Sequence, residues 1–401
     1  MAFKVRGHCP SALAPMQTGD GLLVRLKPQA HQLSVDQCAE IGRLAKTYGN
    51  GTLDLTRRAN LQIRGTRFEA HNDLIEALRA HALVDANATK EARRNIMLSP
   101  FAGKLGYELA RKLTAQLNAS ALALPGKFGF AIDTGEHPVL QNESADIRIE
   151  RDSDKRLLVR ADGEQLGIPV STQNAVNTAI ALAKWFVSVN NKTKQASRMS
   201  TLIADGCFRE EALQGRCLPA SALSPPIPGE HASEGLFVGA EFGQISADTL
   251  IALAPFAPIV LTPWRMLLLT HCNKPTQHHG KNQMLSVLSQ INDLIIDGDD
   301  PRRHVVACVG APACNQALQS TRPLARELAH ALATELSASK TLHVSGCQKG
   351  CATRQAAHLT LVGVPDGFDA ISNGNTFATP NQCALPAHGS DILAKTQNTN
   401  H

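Results

Sequence analysis

Ten cysteines are spread along the 401 residues, and four of them fall into two close pairs: Cys308 with Cys314, and Cys347 with Cys351. Paired thiols at such spacing are metal ligands by default in a chain of this size. Structural zinc favours tight knuckles such as C-x₂-C, which suit one small ion. A cubane cluster is wider, and the C-x₅-C and C-x₃-C loops found here suit it better. Gly310, Gly346 and Gly350 also let backbone N–H groups approach the cluster sulfurs. The pattern reads as a [4Fe–4S] site on Cys308, Cys314, Cys347 and Cys351, with a zinc site and unligated core thiols as the alternatives.

Each pair sits where a strand gives way to a loop. Val305-Val-Ala leads into Cys308 and a Gly/Pro loop, a helix over about Arg322–Leu336 follows, and Thr341-Leu-His-Val-Ser leads into Cys347. If the strands of this strand–helix–strand unit are parallel, both cysteine loops lie at the same sheet edge. Four thiolates then converge.

The remaining elements form a repeated unit. In the first copy a strand leaves the Gly19-Asp-Gly turn, and Ser34 with Gln37 makes a capping box for a helix bearing Cys38, Ile41, Leu44 and Ala45 on one face. Leu53–Arg64 then supplies two strand segments. Residues 230–270 replay this order, with a strand at Gly235–Gly239, a helix opened by Ser246 and a strand region from Ile259. Both copies carry Leu-Thr followed by arginine, at Leu55-Thr56 and Leu261-Thr262. An internal duplication follows, with two halves facing one site. An α/β segment lies between the copies, Pro219, Pro225, Pro226 and Pro228 mark a linker, and the Asn-, Gln- and Thr-rich sequence after residue 372 predicts a loose tail.

Arg58, Asn60, Gln62 and Arg64 alternate with Ala59, Leu61 and Ile63, which in a strand places the four polar groups on one face. Such a row is either solvated sheet surface or a receptor for carboxylates, which forked guanidiniums grip in pairs. Arg265 is the second copy's contribution, with a structural ion pair as the other reading. Lys127 is a lone lysine of the kind usually found at the surface. His271, Cys272, His278 and His279 form a candidate set for a mononuclear iron, against the plainer reading of a polar loop.

Hydrophobic residues make up 43% of the chain and charged residues 19%, enough apolar material for more than one core. The net charge of +5 comes from scattered Lys and Arg, which argues against nucleic acid as a partner. The most apolar stretch, Leu250–Leu269, is broken by Pro255, Pro258, Pro263 and Arg265, and no signal-peptide pattern opens the chain, so a cytoplasmic location is expected. Neither G-x-G-x-x-G nor a P-loop occurs, and electrons are expected from a separate donor.

Together with Leu55-Thr-Arg-Arg-Ala-Asn-Leu-Gln-Ile-Arg, Leu124-Pro-Gly-Lys-Phe-Gly-Phe-Ala-Ile-Asp and Leu261-Thr-Pro-Trp-Arg, the cysteine pattern resembles the nitrite/sulfite reductase superfamily. The resemblance runs to about residue 365. It implies a duplicated α+β fold with two ferredoxin-like half domains, 1–90 and 218–290 with its linker, and two α/β domains, 91–217 and 291–372, around a central site. Residues 373–401 remain as the tail. It also implies cluster ligation by the four cysteines and tetrapyrrole contacts from Arg58, Asn60, Gln62, Arg64, Lys127 and Arg265.

Sirohaem reductases carry a second lysine two positions after the first, whereas here Lys127 is followed by Gly129. The cluster loop reads Cys-Gln-Lys-Gly-Cys rather than Cys-Pro-Asn-Gly-Cys. These departures resemble the branch in which the tetrapyrrole is substrate: precorrin-3A, oxidised with dioxygen in cobalamin synthesis. That branch implies an external electron donor using NAD(P)H and leaves room for a mononuclear non-haem iron. A sirohaem-dependent sulfite or nitrite reductase is the rival reading.

Overall fold

The computed structural model describes residues 10–193, 198–207, 209–231, 234–270 and 281–397. Its first sheet orders strands Met16–Thr18, Gly21–Leu26, Leu61–Thr66, Thr52–Leu55 and Gln244–Ser246. The second orders Gly229–His231, Gly235–Ala240, Met266–Leu269, Ile259–Leu261 and Gln32–Leu33. Each half thus lends a short strand to the other: Gln244–Ser246 pairs with Thr52–Leu55, and Gln32–Leu33 with Ile259–Leu261.

A serine starts a helix after each lent strand. Ser34 Oγ accepts the Gln37 N–H at 3.2 Å and the Gln37 side chain accepts the Ser34 N–H at 3.1 Å, the expected capping box of helix Val35–Tyr48. Ser246 Oγ accepts the Thr249 N–H at 2.9 Å and caps helix Ala247–Leu253. The helices pack against each other. Val24, Leu53 and Ile63 of one sheet and Val238, Ile259 and Leu269 of the other close on them in a shared core. The two expected ferredoxin-like half domains are present, and neither completes its sheet without the other.

The duplication reaches the irregular residues as well. Ala30 and Phe242 take φ of 49° and 53° in matching turns, and Ala59 and Arg265 take 52° and 59° in matching hairpin loops. Positive φ is uncommon for residues other than glycine, so its recurrence at paired positions marks one inherited backbone path.

The two α/β domains share a plan. In one, Ile96–Leu98, Phe130–Ile132 and Ile147–Arg151 run parallel, and Leu157–Ala161 and Ile168–Pro169 extend the sheet antiparallel. In the other, Val305–Ala307, Leu342–Ser345 and Ala357–Val364 run parallel, followed by antiparallel Gly367–Gly374 and Gln382–Leu385. Helix Arg322–Ala331 covers this last sheet through Leu324, Ala325 and Leu328.

The expectation of a loose tail after residue 372 is corrected. Strand Gln382–Leu385 completes the fourth sheet, and helix Gly389–Gln397 buries Ile392 in the same core as Leu385. Each element buries few apolar residues, so no periodic pattern announces it, and its pairing partner lies elsewhere in the sequence. No helix among the described residues is long and apolar enough to cross a membrane.

Candidate functional site

Strands Val305–Ala307 and Leu342–Ser345 are parallel, and Cys308 N–H makes a further rung to Val344 O at 3.2 Å. Both cysteine loops therefore leave the same sheet edge. The first is knitted by Cys314 N–H to Gly310 O (2.9 Å), Ala311 N–H to Gln319 O (2.9 Å) and Thr321 Oγ1 to Cys308 O (2.6 Å). Gly310 takes φ 70°, and a Cβ there would stand 2.6 Å from Thr321 Oγ1, so only glycine allows the turn. The second loop docks on the first through Leu318 N–H to Gly346 O at 2.7 Å.

Gly346 N–H also donates to Cys308 Sγ at 3.1 Å, the type of backbone contact that stabilises a thiolate. Burial pushes the thiols of Cys347 and Cys351 up. Each also feels Cys308 and Cys314, while Lys349 pulls the other way. Cys347 and Cys351 are thus coupled to the other two thiols, although among the described residues no three such side chains are grouped closely enough to hold a single metal ion. A group that holds all four must be cationic enough to offset their mutual repulsion.

Across from these loops stands the outward face of the first sheet. Gly19 N–H donates to Ala313 O at 3.0 Å, tying the first cysteine loop to that sheet. Arg64 donates to Asp20 Oδ2 (2.9 Å) and Asp54 Oδ2 (2.8 Å) and reaches Ala313 O at 3.4 Å. Its charge is met by two carboxylates in a 4% exposed position, which gives Arg64 a structural part in holding the cysteine loop. Gln62 is likewise committed, its Oε1 accepting from Arg25 Nε and Nη2 at 3.1 and 2.8 Å.

The strand carrying these residues begins only at Leu61. Arg58 and Asn60 therefore belong to the hairpin loop, where positive φ at Ala59 breaks the alternation that the sequence pattern predicts. Arg58 Nη2 donates to Lys127 O at 3.1 Å, which joins two of the expected residues, although the Lys127 side chain is exposed. Arg58 and Asn60 border a small recess with Asn95, Gly129 and Phe130. A Cβ on Gly129 would stand 2.9 Å from Asn95 Nδ2 and 3.0 Å from Asn95 O, so a longer side chain there requires Asn95 to move.

Three arginines gather at the junction of hairpin loop, second half and cysteine loop. Arg265 is held below the usual arginine range by burial, with Arg57 and Arg322 adding to the effect. Burial also lowers Arg322, which bonds Asp54 at 3.4 Å. Both sense Cys308. Arg265 lies in this group beside Arg57 and Arg322. Arg57 and Arg322 escape the sequence reading: Arg57 lies inside the Leu-Thr-Arg-Arg motif but outside the alternating row, and nothing local distinguishes Arg322. His271, Cys272, His278 and His279 lie outside the described residues.

The architecture and the site can now be set beside known proteins. Residues 14–81 match the nitrite/sulfite reductase ferredoxin-like half domain. The NirA protein of Mycobacterium tuberculosis superposes on 94% of this chain and 80% of its own with a TM-score of 0.62, at 19% identity. The fold is that of the nitrite/sulfite reductases. A precorrin-3B synthase from Sinorhizobium sp is 28% identical over 94% of this chain and 84% of its own length. The ferredoxin–nitrite reductase of Synechococcus elongatus is 25% identical over 85% of this chain and 76% of its own.

Proposed function

We propose that the chain is an oxidoreductase whose substrate is a carboxylate-rich tetrapyrrole, and that its reaction is that of precorrin-3B synthase. Precorrin-3A is hydroxylated at C20 with dioxygen and a ring acetate closes a γ-lactone. One oxygen atom enters the substrate and the other leaves as water, with two electrons and two protons from an external donor that uses NAD(P)H.

The observation that carries this reading is the group Arg57, Arg265 and Arg322 beside Cys308, in which Arg265 and Arg322 share Asp54 and Arg57 acts on Glu143. Asp54 is already bonded to Arg64 and Gln244, so the group retains positive charge for an incoming polyanion. Gly129 favours a bound tetrapyrrole as substrate over reduction of a small inorganic anion, since the position lacks a lysine and Asn95 closes over it. The similarity to a precorrin-3B synthase supports the same choice.

Cys308, Cys314, Cys347 and Cys351 fit a [4Fe–4S] cluster: their loops leave one edge, a backbone N–H already serves one sulfur, and the turn glycines hold the loops together. When bound, such a cluster supplies electrons one at a time. The protein's own part is to grip the substrate carboxylates with guanidiniums and to fix the macrocycle against the hairpin loops. Anaerobic purification with iron, sulfide and optical analysis, followed by turnover with precorrin-3A, tests the reading. Cluster absorbance with dioxygen-dependent conversion is expected. A sirohaem Soret band with sulfite or nitrite reduction would reject it.

A further inference from the structure

The second hairpin loop holds a feature that the first lacks. At matching backbone positions the first half sets His31 beside Ala59, and the second sets Gly243 beside Arg265. Bulk has changed sides between the copies. In the first, a buried imidazole fills the space and burial pushes it down to about 4, so it stays neutral. In the second, a guanidinium fills it. A Cβ on Gly243 would stand 2.5 Å from Arg265 Cδ and 3.1 Å from its Nε, so glycine is what admits the arginine.

A cavity of about 230 Å³ adjoins this residue, walled by the proline linker, the second sheet and the first strand of the cysteine domain. Arg265, Arg302 and Arg303 line it together with Trp264 and Phe242, and no carboxylate is among its lining residues. Arg302 is balanced by Asp300 at 2.7 Å. Arg302 also lies 3.6 Å from Glu241, Asp300 is shared with Arg303, and Asp54, which acts on Arg265, is bonded to Arg64 and Gln244. Arg265 and Arg303 are half-buried and share their acids with other arginines, so an anion in the cavity adds a partner that the protein itself does not supply there.

We infer that this cavity binds a carboxylate or an equivalent small oxyanion between Arg265 and Arg303. The cavity shares Arg265 with the arginines proposed to meet the substrate and to that extent rests on that reading, whereas Arg303 belongs to the cavity alone. An acidic arm of a larger ligand and a free dicarboxylate present the same group to it.

The chain has two tryptophans, so Trp185→Phe leaves Trp264 as the reporter in the cavity wall. The full-length protein carrying this change is titrated with succinate and, separately, with inorganic phosphate, by fluorescence and by calorimetry. Saturable binding is expected, weakened about tenfold or more by Arg265→Gln and by Arg303→Gln. Gly243→Ala, which displaces the guanidinium, gives a similar loss. Competition between succinate and an octacarboxylate porphyrin identifies the occupant as a side arm; independent binding of both identifies a free anion. Absence of saturable binding, or binding unchanged in both arginine variants, overturns the inference. The readout needs neither cluster nor turnover, and Arg303→Gln touches only the cavity: loss of anion binding with unchanged precorrin turnover in that variant separates this inference from the proposed reaction.

Discussion

Across the outward face of the first sheet, hydrogen-bonded neighbours read Arg25, Gln62, Asp54, Gln244; across the same row of the second they read Phe237, Leu268, Val260, Gln32. One backbone plan thus carries two chemistries. The polar row, extended by Arg64 and Asp20, receives the cysteine loop through Ala313. The apolar row packs with Met266, Phe101 and Trp264, and its neighbours Met97, Ala131 and Leu140 belong to the first α/β domain. The inner faces stayed alike because both must close one core; the outer faces diverged because each meets a different domain. Register conserves the fold, and the face that leaves the core is free to acquire function.

The comparison is most exposed at the cysteine loop that the polar face supports. Cys351→Ser is expected to abolish both cluster absorbance and turnover while far-UV circular dichroism stays native; activity without a cluster would sink the proposed mechanism. Next in size is Arg64→Leu, which takes the main cation from Asp20 and Asp54 at 12–16% side-chain exposure and leaves them to Asn50, Thr18, Gln244 and Arg322. It is expected to cost about 3–5 kcal/mol in urea unfolding. A loss near zero would mean that the polar row is ordinary surface.

Exchanging single members of the rows sharpens the contrast. Leu268→Gln puts an amide into a fully buried apolar row and should cost about 3 kcal/mol in the same assay.

The His31 contrast is read by pH. Its folded value of about 4 lies below the ordinary 6.5, so above pH 6.5 both folded and unfolded states are neutral and stability is full. As pH falls towards 4 the unfolded chain takes up a proton that the folded one refuses, and about 3 kcal/mol is lost across that window. His31→Leu should flatten that part of the acid limb. The smallest effect is expected from Gln62→Leu, about 1 kcal/mol, because it removes one acceptor of Arg25 rather than a buried charge.

Local chemistry was legible in the sequence. Ser34 with Gln37, the Ser246 cap, the paired cysteine spacings and the Leu-Thr loops each depend on residues a few positions apart, and the helices and strands they imply are present. What depends on distant pairing was hidden. Asp54 meets Gln244 and Arg322, Asp20 meets Arg64, and Gly19 meets Ala313, none of which leaves a mark in spacing. The alternation from Arg58 to Arg64 misled for a related reason, since a residue with positive φ in the hairpin loop resets the face on which each side chain falls. Arg57, Arg265 and Arg322 come together only because three separate elements converge.

The lent strands also set an order of assembly during synthesis. When Thr52–Leu55 leaves the ribosome its outer neighbour, Gln244–Ser246, is about 190 residues from being made, and an unpaired hydrophobic edge waits through that interval. The first half cannot seal its core until helix Ala247–Leu253 arrives to cover it. Chain-terminated fragments that stop before residue 244 therefore leave this strand edge open, which a tandem of independent domains would not do.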